Sequence, residues 1–110
     1  MCIRDRRGAS GVGNSSTNNA ASGAPTISLT TAAAGSFVFA VGNDWDKALA
    51  RTLPAGQSMV HTWVDTATGD TFWTQRLSAA TGAAGSLVTV GATAPTTDRW
   101  NLAAVEVRAS

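Results

Sequence analysis

The chain has 110 residues, 14% of them charged, and a formal net charge of +1. That length bounds it to one domain, able to bury about two-thirds of its unfolded surface. Charge this sparse, against about 25% in an ordinary soluble domain, excludes a basic stripe for nucleic acid, a polybasic patch for anionic lipid and a bundle of Leu-, Glu- and Lys-rich helices. Gly, Ala, Ser and Thr take up the difference, which suits strands and turns and fits secreted β proteins. No apolar run is long enough for a membrane-spanning helix, so no membrane insertion is expected. A single cysteine, Cys2, allows no internal disulfide.

The chain opens MCIRDR. Met1 to Arg6 resembles the translated sequencing-adapter read-through found at the ends of genes from metagenomic assemblies. On that reading residues 1–7 are an artefact and Cys2 and Arg4 have no role. Arg4, Arg6 and Arg7 against Asp5 leave +2 in that segment, so the remainder carries −1. The native protein is then expected to continue upstream.

Residues 8–25, GASGVGNSSTNNAASGAP, lack apolar bulk and are expected to form a flexible loop or lead-in. A β-sandwich is expected over 26–110. From Thr26 the hydrophobic period is two. Thr26 to Thr30 places Ile27 and Leu29 on one face. Ser36 to Val41 sets Phe37, Phe39 and Val41 against Val38 and Ala40, so both faces are apolar, as in a central strand covered on both sides. Asp46 to Thr52 predicts one helical turn or the start of another strand. Ser58 to Val64 sets Met59, His61 and Trp63 against Val60, Thr62 and Val64. Asp65 to Gly69, DTATG, predicts a turn, because Asp bonds back to its own backbone and Gly accepts positive φ. Asp70 to Arg76 is its hairpin partner, with Phe72 and Thr74 opposing Trp73 and Gln75. Ser86 to Val90 is a short strand. Arg99 to Val107 sets Trp100, Leu102 and Ala104 against Asn101, Ala103, Val105 and Val107. About six strands with regular turn signals predict an all-β, antiparallel β-sandwich of immunoglobulin-like or jelly-roll type.

Three stretches, FAVGNDWDKALARTLPAGQ, VHTWVDTATGDTFWTQR and TAPTTDRWNLAAVEV, together resemble a module of large secreted bacterial proteins, often set beside immunoglobulin-like or fibronectin-like repeats. The similarity runs from about Gly8 to Val107. It implies that the chain is the C-terminal part of a larger sandwich domain, with residues 8–25 a surface loop between strands. It also implies an extracellular or cell-surface location and neighbouring domains of the same polypeptide as partners. No catalytic activity attaches to the module, so no catalytic residue is transferred. Removing strands from a sandwich uncovers an apolar face, and the face carrying Phe37 and Phe39 is expected to be exposed.

Few residues suit chemistry. His61 is the only base, and its neighbours predict a partly buried strand histidine with one hydrogen bond. The carboxylates Asp44, Asp46, Asp65, Asp70 and Asp98 fall in loops or at strand ends. The loop at Asn43 to Asp46, NDWD, concentrates the candidates. Asn43, Asp44 and Asp46 could supply oxygens to calcium. Trp45 could stack on a sugar ring while those groups bond its hydroxyls, or fold back and cap the sandwich. Trp63, Trp73 and Trp100 are expected in the core or pleat. The expectation is a non-catalytic structural or adhesive module needing no cofactor, calcium being the alternative. The competing readings are a polysaccharide-binding module attached to an extracellular enzyme, or a phage virion surface domain.

Overall fold

The computed structural model describes residues 9–109, so the adapter-like segment and Cys2 lie outside the described residues. Seven strands follow in order: β1 (Ala9–Ala20), β2 (Thr26–Thr30), β3 (Phe37–Asp44), β4 (Gln57–Asp65), β5 (Asp70–Leu77), β6 (Leu87–Gly91) and β7 (Trp100–Ala109). They form a five-stranded sheet, β1-β7-β3-β5-β4, and a two-stranded sheet, β2-β6, with every pairing antiparallel. The fold is an all-β, antiparallel sandwich with one broad layer and one narrow one. Among the described residues no helix is long and apolar enough to cross a membrane.

Alternation builds the core. Ile27 and Leu29 of β2 and Val90 of β6 pack on Val38 and Ala40 of β3, Trp73 of β5, and Trp100, Leu102 and Ala104 of β7. Area removed from water at about 25 cal/mol per Å² makes this cluster the main source of stability. The β4–β5 hairpin turns through Asp65 to Gly69, as its composition predicts. The Asp65 carboxylate accepts from the Ala67 and Thr68 N–H groups, and Gly69 takes φ 76°.

Three expectations are corrected. Residues 9–20 are a strand, not a flexible loop: β1 pairs with β7 along its length, with irregularities between Ala9 and Gly11 and between Val12 and Ser15. Small polar residues carry little strand signal. Here a long neighbour supplies the ladder, and the Asn14 and Asn18 amides donate to the Thr30 and Thr26 carbonyls of β2. Asp46 to Thr52 is neither a helix nor a strand; its one sheet-like contact is a bridge from Thr52 to Ala94. Alternation in β4 is broken by a bulge between Met59 and His61. Met59 therefore packs on the core, while His61 and Trp63 share the opposite side with Thr74 and Phe72.

That opposite side has no second layer among the described residues. β3 is central, between β7 and β5, but covered on one face only. Phe37 is 40% exposed, Val41 54%, Trp63 58% and Phe72 40%.

Candidate functional site

The four residues of the NDWD loop do not converge. Asp44 ends β3 on the core side and is fully buried. Its Oδ2 meets Arg51 Nη2 at 2.6 Å, and its Oδ1 accepts from the Asp46 N–H at 2.7 Å and the Lys47 N–H at 3.0 Å. Asn43, one residue earlier, lies on the outer side, opposite Phe72, and donates from Nδ2 to the Thr71 carbonyl. Trp45 is half exposed and does not enter the core; the Arg99 guanidinium sits 5.9 Å from its ring centroid. Asp46 is exposed. Among the described residues no three His, Cys, Asp or Glu side chains gather to hold a metal ion.

Asp44 belongs instead to a buried polar chain. The Arg51 guanidinium lies over the Trp73 ring, 4.8 Å from its centroid, with Asp98 Oδ2 3.9 Å from its Nη1. Trp73 Nε1 donates to Gln75 Oε1 at 2.7 Å. Gln75 Nε2 then donates to Gln57 Oε1 and to the Gly91 carbonyl, tying β5 to β4 and β6. Across the ladder from Trp73 stands Gly42, and a Cβ there would overlap the indole. The chain is a structural frame: Arg51 is paired with Asp44 inside, where a lone charge would cost roughly several kcal/mol.

A second frame surrounds Glu106 of β7. Its buried carboxylate accepts from the Ser36 hydroxyl at 2.5 Å, the Ala32 N–H at 2.8 Å, the Asn14 N–H at 3.0 Å and the Ala33 N–H at 3.2 Å. Gly13 is required beside it, since a Cβ there would overlap the carboxylate. Burial pushes this carboxyl's pKa up. The Ser36 hydroxyl and the Ala32, Asn14 and Ala33 N–H groups outweigh it and hold it at about 2, below the ordinary 4.5. A folded pKa below the unfolded one stabilises fully above the unfolded value and loses that contribution as pH falls through the folded value. The melting-temperature gap between wild type and Glu106→Gln is therefore expected to be full above about pH 4.5 and to close toward pH 2. A gap that stays constant over that range would remove the carboxylate from the frame.

The outer side of the broad sheet carries exposed aromatic and apolar side chains, Phe37, Val41, Trp63 and Phe72. Between β4, β5, β3 and β7 runs a groove of about 390 Å³, lined by Trp63, Phe72, His61, Asn43, Asn101 and Thr74, with Val41 and Ala103 at its floor. Trp63 and Phe72 are cross-strand partners whose ring centroids are 5.8 Å apart, with planes tilted by 33°. A second groove, of about 370 Å³, continues toward β1 between Phe39, Val41, Val105, Ser15 and Thr17.

No protein-family model, curated protein or solved structure matches the chain.

The sequence predicts Trp63 in the core or pleat and His61 in a partly buried position. The structure exposes both, because the bulge turns them outward. Phe72 and Asn101 did not stand out as site residues. Their signal was parity: Asn43, Phe72 and Asn101 each fall on the outer-facing alternate of three adjacent strands.

Proposed function

We propose that the chain is a non-catalytic, adhesive β-sandwich module of a secreted or cell-surface bacterial protein, making contact through the outer face of its five-stranded sheet. The observation that carries this reading is the row of large apolar side chains exposed there, Phe37, Val41, Trp63 and Phe72. Contiguous exposed apolar surface costs solubility and marks contact sites. The most strongly held carboxylates, Asp44 and Glu106, are engaged in the two buried frames and are not open to a substrate. Neighbouring domains of the same polypeptide would seat on the second groove, beside β1. The reading needs no cofactor.

The test is retention on bacterial cell-wall particles of the chain coupled to a sensor surface. Val41→Lys leaves the buried core untouched and places a charge at the centre of the face. Retention is expected to fall at least about tenfold, as for loss of a central contact. Equal retention of both proteins, with circular dichroism showing both folded, would take the outer face out of the function.

A further inference from the structure

We infer that the groove beside Trp63 and Phe72 is a binding site for a neutral saccharide, which rests on the adhesive reading of the same face and names what is held there. Its residues are of two kinds. Trp63 and Phe72 offer adjacent aromatic faces across the β4–β5 ladder, one more than half exposed. Such faces suit the flat, C–H-bearing side of a sugar ring, while an indole or phenyl edge leaves the hydroxyls free to bond elsewhere. Around them stand hydrogen-bonding groups: the amides of Asn43 and Asn101, the Thr74 hydroxyl and the His61 imidazole. Among the described residues, the Asn101 and His61 side chains make no hydrogen bond within the chain, and Asn43 uses only its Nδ2.

The lining also says what does not fit. It contains no Lys, Arg, Asp or Glu, so it offers no carboxylate to a cation and no ammonium or guanidinium to a phosphate or an acidic sugar. An apolar layer laid over this half of the sheet would strip water from two amides, a hydroxyl and an imidazole without replacing their hydrogen bonds, at about 1–3 kcal/mol each. A polyhydroxylated ligand replaces those bonds and still covers the rings. The groove's 390 Å³ falls within the range of small-ligand sites and is open along the sheet, which suits a short section of a chain rather than an enclosed monosaccharide. The second groove is lined mainly by Phe39, Val41, Ala103 and Val105 and lacks these amides, so the saccharide site is confined to the β4–β5 side.

The test is calorimetry of the full chain with neutral oligosaccharides of glucose, mannose and N-acetylglucosamine, and with an anionic uronic-acid oligomer as control. At least one neutral oligomer is expected to bind and the anionic one not. Trp63→Ala should weaken binding at least about tenfold, Trp63→Phe should restore part of it, and Asn101→Ala should weaken it several-fold. Trp45→Ala should leave it unchanged, since that ring lies on the loop outside the groove. No binding by any neutral oligomer, binding indifferent to Trp63→Ala, or binding lost in Trp45→Ala would each overturn the site. Competition separates this result from the adhesive reading. Cell-wall retention that survives excess soluble oligosaccharide sinks the saccharide site and leaves adhesion standing. Oligosaccharide binding without cell-wall retention does the reverse.

Discussion

Replacing Asp44 with alanine is expected to destabilise the fold by about 3–5 kcal/mol, the cost of leaving a buried charge without its partner. The Arg51 side chain is fully buried, and its short ion pair is with Asp44 at 2.6 Å; Asp98 stands farther off, at 3.9 Å. The same substitution frees the Asp46 and Lys47 N–H groups that Asp44 caps. For a domain of this size the melting temperature should fall by well over about 10 °C. Asp44→Asn keeps a cap and should cost less. In a double-mutant cycle, Asp44→Asn with Arg51→Met should be milder than the two single costs added, because each removes the reason for the other. Simple additivity in urea unfolding would mean that the pair is not coupled. The same melting assay tests the calcium alternative. Arg51 already neutralises Asp44, so calcium or a chelator is expected to move the wild-type midpoint by no more than about 1 °C; a saturated site would add about 2.7 kcal/mol at a hundred times its Kd.

Gly42→Ala is expected to destabilise by about 3 kcal/mol or somewhat more, the upper range for overpacking. A methyl at Gly42 meets the six-membered edge of the Trp73 indole. That ring is buried, has the Arg51 guanidinium over it and is held through Nε1 by Gln75, so it has no easy direction of retreat. Gly82→Ala is the control, since nothing lies within 4 Å of a Cβ there. Denaturant unfolding should show a large loss for the first and almost none for the second. Near-equal midpoints would mean that the indole repacks freely.

Both effects arise from residues whose type was conspicuous in the sequence and whose facing was not. Strands β3, β5 and β7 were legible because large apolar residues alternate in them, and that alternation grouped Trp100, Leu102 and Ala104 on one face and set Trp73 opposite Phe72; the structure packs the first group and Trp73 in the core. The same rule, carried three residues past Val41, puts Asp44 on the face of Val38 and Ala40 and Asn43 on the face of Val41. Treating Asn43, Asp44, Trp45 and Asp46 as one loop cluster ignored this, and the four residues in fact divide between core, groove and solvent. Apolarity on both faces of β3 predicts cover on both sides, and the structure covers only one; the exposure of the Phe37 face follows instead from the expectation of missing strands. β1 was illegible, because it is built mostly of glycine, alanine, serine and asparagine, which carry little strand preference, and its pairing depends on a partner about 90 residues away. The Glu106 frame was hidden for a similar reason: a carboxylate held by hydrogen bonds from β1 and from the β2–β3 connection leaves no local pattern.

The bulge in β4 carries a consequence for how this chain tolerates length changes. Val60 is the unpaired residue between Met59, opposite Gln75, and His61, opposite Thr74. Loss of that one codon would leave a regular strand with every side chain on its present side. Loss of Thr62 would not: either the bulge persists and Trp63 turns beneath the sheet against Trp73, or it is absorbed and His61 does. Two deletions two positions apart are therefore opposite in outcome. The aromatic platform therefore tolerates only those length changes that preserve residue parity downstream of Val60.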